Sequence, residues 1–361
     1  MKPTRALHDL GQSIWLDNIT RDLLDDGTLR RYVDEWSVTG LTSNPTIFDQ
    51  ALKNSRAYDA SIAKRVGAGQ RGEELFFELA IEDLARAADV FRPVHERTAG
   101  VDGYVSLEVS PLLAYDTRAT IDAARALHAK AGRRNLMIKI PGTREGLPAI
   151  EEAIFAGVPV NVTLLFSREH HLAAADAYLR GVERRIAAGL SPDVASVASL
   201  FVSRWDGAVA AQVPPALRNR LGIAIAQRTF AAACALFATP RWQRAFNAGA
   251  RPQRVLWAST GTKDPAASDV LYVEALAAPM TVDTVPEATL KAFADHGRPG
   301  APMARDGGDC EAVLGQFSAA GVDVGALASR LQEDGAKSFV KSWNDLVARL
   351  ATKVAAVAGP V

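Results

Sequence analysis

The chain has 361 residues, of which 48% are hydrophobic and 23% charged, a composition that excludes disorder and allows a large buried core. Its 41 Lys and Arg balance 41 Asp and Glu, so no net field draws it to nucleic acid or to an acidic membrane, and any anion site must be local. Two cysteines, Cys234 and Cys310, are too few for a disulfide framework and read as free thiols. The N-terminal residues lack a long apolar core, and no later stretch approaches the roughly 18 uncharged residues of a membrane span, so the expected address is the cytoplasm.

Short β-like runs alternate with longer helical patterns along the chain. Residues 13–17 form the first run, ending in Asp17, and a charged helix over 20–36 follows. The second run, 38–42, opens into Ser43-Asn44-Pro45-Thr46, where the Asn-Pro pair forces an extended or turn geometry. Residues 48–97 show apolar positions at helical spacing and no strand signal, which reads as an inserted set of helices. A third run over 101–109 carries Glu108, and a helix over 120–131 leads to the fourth, 135–141, which holds Lys139.

After a helix over 144–155 comes the fifth run, 158–166, where Asn161 and Thr163 alternate with apolar neighbours and share a face. A long helix over 167–188 precedes the sixth run, 196–202, which contains Ser199 and stops at Arg204. A helix over 220–237 leads to the seventh run, 254–258, which opens into a loop with Ser259 and Lys263. A helix over 270–276 and a run over 280–283 complete the set. Residues 297–308 are a Gly/Pro-rich connection, and additional helices over about 309–358 end in an amphipathic one with Phe339, Trp343, Leu346, Leu350, Val354 and Val357 at steps of three or four.

Eight β runs, nearly all separated by helices, predict a (β/α)8 TIM barrel over residues 1–361 as one domain, with functional groups at the C-terminal strand ends. An open doubly wound sheet would instead predict a Gly-rich phosphate turn, and neither G-x-G-x-x-G nor G-x-x-x-x-G-K-[ST] occurs.

Lys139 stands inside an apolar strand, where an ammonium must reach the strand end, find a partner or lose its proton. Desolvation near other cations would lower its pKa toward that of an amine nucleophile. A lone strand lysine is more often a side chain reaching solvent along its apolar stem, and Asp17, Asn44, Glu108 and Arg204 each have a structural reading as cap, turn or ion pair. Taken together, Asp17, Asn44, Glu108, Lys139, Asn161, Thr163, Ser199, Arg204, Ser259 and Lys263 supply more than that. They offer a nucleophile, two carboxylates for proton transfer, neutral groups for hydroxyls and cations for an anionic tail. That set fits carbanion chemistry on a phosphorylated sugar. The six histidines show no H-E-x-x-H, and the adjacent His170 and His171 read as helix-surface imidazoles, so no metal site is expected.

At these positions the chain resembles the transaldolases. The matching stretches are Trp15-Leu16-Asp17-Asn18-Ile19, Gly40-Leu41-Thr42-Ser43-Asn44-Pro45-Thr46, Ser106-Leu107-Glu108-Val109, Ile138-Lys139-Ile140-Pro141 and Asn161-Val162-Thr163-Leu164-Leu165-Phe166-Ser167. The end segment Lys337-Ser338-Phe339-Val340-Lys341-Ser342-Trp343 is similar to the long bacterial subfamily. The resemblance implies a cofactor-independent enzyme of the pentose phosphate pathway. It would move a dihydroxyacetone unit from sedoheptulose 7-phosphate to glyceraldehyde 3-phosphate, giving erythrose 4-phosphate and fructose 6-phosphate.

It further implies that Lys139 forms the Schiff base, that Asp17 takes the proton of the hydroxyl whose C–C bond breaks, and that Glu108 and Thr163 serve imine formation. Asn44, Asn161 and Ser199 would hold the enamine, and Arg204 and Ser259 the phosphate. Many relatives carry an arginine two positions after the serine matching Ser259, whereas this chain has Gly261, which leaves Lys263 to supply the second cation. A fructose 6-phosphate aldolase releasing free dihydroxyacetone, and a non-catalytic sugar-phosphate-binding barrel, are the competing readings. The oligomeric state, a homodimer included, is open at this stage.

Overall fold

The computed structural model describes residues 2–358, with side chains through residue 356, so the side chain of Val357 lies outside the described residues. Eight parallel strands close into a barrel in chain order: β1 (Ser13–Leu16), β2 (Val38–Thr42), β3 (Val105–Glu108), β4 (Leu136–Pro141), β5 (Val160–Leu165), β6 (Ser196–Phe201), β7 (Arg254–Ala258) and β8 (Val282–Val285). The ring is sealed by β1 pairing with β8 from Ser13↔Val282 to Leu16↔Val285. Every strand residue is buried, because helices cover the outside while side chains fill the inside, as the near-continuous apolar runs require. One contiguous core reaches from Leu7 to Leu350.

The N-terminal end of the barrel is plugged by polar groups that satisfy one another. Trp15 Nε1 donates to Asp102 Oδ1 at 2.7 Å, and Arg254 Nη1 donates to Ser13 Oγ at 2.7 Å. Gly40 permits this, since a Cβ there would lie 2.7 Å from Trp15 Nε1 and 2.6 Å from the Tyr104 carbonyl oxygen. With the barrel interior filled at that end, the cavity that reaches the inward-facing side chains lies at the C-terminal strand ends.

Several elements differ from the sequence expectation for identifiable reasons. The helix expected over 20–36 breaks into Arg21–Asp25 and Thr28–Trp36 at Gly27, which takes φ of 74°. The inserted region resolves into helices Pro45–Asn54, Asp59–Gly67 and Gly72–Arg97. β3 is shorter than 101–109 because Asp102 turns inward to join the barrel plug. β8 begins at Val282 and not at residue 280, since Met280 has φ of 61°, outside the β region.

The absence of any span-like stretch also needs correction. Residues Pro215–Phe237 are long and apolar enough by composition to cross a membrane. Within helix Leu221–Phe237 the one charge, Arg228, pairs with Glu311 at the start of helix Cys310–Ala319, and Leu221, Ile225 and Phe230 are buried. An outer-ring helix that is covered by further helices has more of its girth to bury, and its composition follows.

Candidate active site

Parallel register brings the chemistry to one level. Glu108 on β3 pairs with Lys139 on β4, which pairs with Asn161 on β5, so all three point into the barrel at the same height. Thr163 stands two residues higher on the same face. Lys139 is buried. Its Nζ donates to the Ser43 carbonyl oxygen at 3.1 Å and lies 3.2 Å from Glu108 Oε2, an ion pair whose angle falls outside hydrogen-bond geometry.

Asp17 follows the tip of β1, where its backbone N–H donates to the Val285 carbonyl at 2.9 Å. Its Oδ1 accepts from Thr42 Oγ1 at 2.8 Å, and because that hydroxyl has one proton, Thr284 Oγ1, 2.6 Å away, donates to Thr42. Burial pushes the carboxyls of both Asp17 and Glu108 above the usual carboxylate range, and the Lys139 ammonium offsets only part of that. The charged neighbours of Lys139 are therefore carboxylates, not the cations the sequence reading invoked.

A cavity of about 310 Å³ opens above this level. Eight of the ten expected residues line it: Asp17, Asn44, Lys139, Thr163, Ser199, Arg204, Ser259 and Lys263. Glu108 and Asn161 stand behind its wall. Asn161 donates Nδ2 to Ser106 Oγ at 3.1 Å and accepts from Ser199 Oγ at 2.7 Å, so it aims Ser199 and leaves the cavity surface to it. The Thr163 hydroxyl is buried without a protein partner.

Asn44 Oδ1 caps helix Pro45–Asn54 by accepting from Ile47 N–H at 3.0 Å, which fixes the turn and leaves the amide NH2 free of that bond. At the rim, Arg204 and Lys263 are exposed cations, and Ser259 is held at φ of 58° with its hydroxyl 2.9 Å from that of Ser203. Lys263 Nζ lies 3.9 Å from where a Cβ on Gly261 would be, so the missing side chain leaves room beside the lysine. A cavity of about 400 Å³ near the opposite end of the barrel, walled by Arg134, Asp193 and Arg251, holds none of the ten.

Residues 14–350 match the family described as Transaldolase/Fructose-6-phosphate aldolase. A protein named Transaldolase from Thermobifida fusca is 45% identical over 98% of this chain and 99% of its own length. Those of the same name from Thiobacillus denitrificans and Neisseria gonorrhoeae are 43% and 42% identical, over 97% and 94% of this chain and 100% and 97% of their own lengths. The chain belongs to the transaldolase/fructose-6-phosphate aldolase family.

In this member of the transaldolase/fructose-6-phosphate aldolase family the cavity has walls that the sequence reading did not single out. Thr42 and Thr284 form the hydroxyl relay beside Asp17, and period-2 alternation from Asp17 and its pairing partners could have found them. Phe201 and Phe339 supply the aromatic wall, and in sequence both read as core. The reading of His170 and His171 as surface imidazoles fails for His171, whereas His170 is half-buried at the start of its helix. His171 is buried and burial pushes its imidazole down to about 4, while His170 Nδ1 accepts from the Phe166 N–H at 3.3 Å. Among the described residues no three His, Cys, Asp or Glu side chains converge as a metal site.

Proposed function

We propose that the protein is a transaldolase of the pentose phosphate pathway, transferring a dihydroxyacetone unit between sugar phosphates through a Schiff base on Lys139. The observation that carries this reading is the Lys139 amine, buried at the floor of a 310 Å³ cavity between two carboxyls with raised proton affinity. A carboxylate 3.2 Å from an ammonium can take its proton as the amine attacks the donor ketone, and Glu108 is so placed. In this reading the protonated Glu108 and the unpartnered Thr163 hydroxyl then help the carbinolamine lose water.

The resulting iminium accepts the electrons of the breaking C–C bond, and Asp17 takes the proton of the neighbouring hydroxyl. Thr42 holds that carboxylate in place. The three-carbon enamine stays bound through its hydroxyls to Ser199, aimed by Asn161, and to the Asn44 amide. Arg204, Ser259 and Lys263 at the rim take the phosphate of donor and acceptor, which keeps the phosphorylated end some distance from Lys139. The inserted helices and the C-terminal helices belong to one domain with the barrel, supported by the contiguous core. The cytoplasm is the compartment this reading assigns, because phosphorylated sugars are retained there.

Borohydride reduction in the presence of fructose 6-phosphate, followed by peptide mass mapping, tests the reading. A three-carbon adduct on Lys139 is expected, and the Asp17→Ala variant is expected to give mainly the six-carbon adduct, because imine formation survives while cleavage slows. Absence of any adduct on Lys139 in the folded protein would overturn the covalent mechanism.

A further inference from the structure

The C-terminal helix, Val324–Ala358, is tied down on both sides of the cavity mouth. On the β5 side Gln332 Nε2 donates to the Gly142 carbonyl at 3.1 Å and to the Leu164 carbonyl at 2.9 Å. Leu164 follows Thr163 directly and takes φ of 60° where the β5–β6 register breaks, so its carbonyl has left the regular ladder and needs a donor from elsewhere. One turn on, Gly335 lets the helix settle here, since a Cβ would lie 3.0 Å from Leu164 Cδ2. On the other side Ser342 meets Thr46 at 2.8 Å, and Lys353 Nζ donates to Asp59 at 2.8 Å and to the Ser55 carbonyl at 2.9 Å.

Between these anchors stands Phe339, seven residues after Gln332 and four after Gly335 and therefore on the same helical face. Its ring centroid is 5.9 Å from Lys139 Nζ and 6.4 Å from that of Phe201, and both rings line the cavity. A two-ring wall beside the amine leaves little room for water on that side.

We infer that Phe339, latched over the site by Gln332, sets the partition of the bound three-carbon enamine between transfer to an aldehyde and release as free dihydroxyacetone. This rests on the proposed Schiff-base function. Release requires the enamine carbon to take a proton in place of the acceptor carbonyl. One water then adds to the iminium carbon, and the C–N bond breaks to return the Lys139 amine and dihydroxyacetone. That water balances the one expelled when the imine formed, so no further reagent is involved. Transfer ends with the same water adding to the iminium of its product, so the two branches part earlier, at the enamine carbon. A wall that keeps water from that carbon withholds the proton that release needs, while the aldehyde acceptor enters by the phosphate rim.

The test uses the full chain with fructose 6-phosphate as donor and erythrose 4-phosphate as acceptor, reading dihydroxyacetone released per sedoheptulose 7-phosphate formed. This ratio does not depend on the fraction of folded enzyme, so a purely structural defect leaves it unmoved. Phe339→Ala is expected to raise it about tenfold, on the scale of one aromatic contact with a desolvated cation. Gln332→Ala, which loosens the latch without facing the cavity, should raise it less, and Phe339→Leu, which restores bulk, should bring it back toward the parent value. An unchanged ratio in Phe339→Ala and Gln332→Ala, with the Lys139 adduct still trapped by borohydride, would overturn the inference. Loss of the adduct in the parent protein would instead overturn the functional reading on which it stands.

Discussion

Lys139 shows how a buried amine can be both paired and available. Its Nζ gives one hydrogen bond to a backbone carbonyl and meets Glu108 at a poor angle, which leaves a donor direction toward the cavity. Burial raises the proton affinity of both neighbouring carboxyls, a state suited to receiving the proton that the proposed Schiff-base function requires the amine to lose. At the rim the chemistry is looser. Lys263 is an exposed point charge standing beside Gly261, so in the proposed function its contact with a phosphate would contribute on the order of 1 kcal/mol. Lys263→Ala is expected to raise KM for fructose 6-phosphate about three- to tenfold with kcat little changed, and Gly261→Arg in that background to bring KM back. Steady-state kinetics that leave KM unmoved in Lys263→Ala would remove this residue from the phosphate site.

At the scale of elements, the strands do two jobs with one alternation. The inward face of β8 offers Thr284 to the relay beside Asp17, while its outward face carries Asp283 into the layer between barrel and helices. Asp283 is fully buried and its carboxyl oxygens have no donor, and the neighbouring Thr260 has already given its hydroxyl proton to the Thr284 carbonyl at 3.1 Å. The indole N–H of its register partner Trp257 is likewise unpartnered. Burial pushes the Asp283 carboxyl up to about 7 from the ordinary 3.8. A carboxyl whose folded pKa is raised binds its proton more tightly in the folded state, so its contribution to stability is greatest at acid pH and is lost as pH rises from about 4 to 7. Asp283→Asn, which cannot ionise, should therefore gain stability relative to the parent across that window, by on the order of 4 kcal/mol at its upper end. Urea unfolding midpoints measured at pH 5 and pH 8 check this. A difference between the two proteins that is the same at both values would show that Asp283 does not titrate there.

At the scale of the whole molecule, the helices inserted after β2 and the C-terminal helix are coupled to each other as well as to the barrel. Trp343 packs edge-on against Phe76 with centroids 5.0 Å apart and meets Phe77 at 5.7 Å, while Phe48 abuts Phe76 at 5.3 Å. This aromatic cluster joins the middle of the C-terminal helix to helices Pro45–Asn54 and Gly72–Arg97. Trp343→Ala should cost about 3–5 kcal/mol, the usual loss for truncating a buried aromatic side chain. A urea midpoint shift well below that would mean that the cluster is not part of the cooperative core.

Much of this was legible in the amino-acid order. Period-2 and period-3.6 patterns located all eight strands and the principal helices, because burial on one face or both imposes those spacings. The polar residues at the strand ends could be named because a parallel barrel sends all its strands the same way, so their C-terminal ends must meet. Strand limits were less legible where a residue is drawn elsewhere by its partners, as Asp102 is drawn into the plug by Trp15, or where the backbone leaves the β region, as at Met280.

What the sequence by itself determined is the barrel and the group of residues that could share its mouth, since both follow from local periodicity and direction. Only the tertiary structure decided the division of work within that group. Asn161 stands behind Ser199, Lys139 faces carboxylates and not cations, and Lys263 occupies the space beside Gly261. Tertiary packing also decided that Phe339, two hundred residues after Lys139 in the chain, completes the wall beside it. Such pairings depend on distances between elements far apart in sequence, and on which of several competing partners a buried polar group finds, and neither quantity is written in the spacing of any one segment.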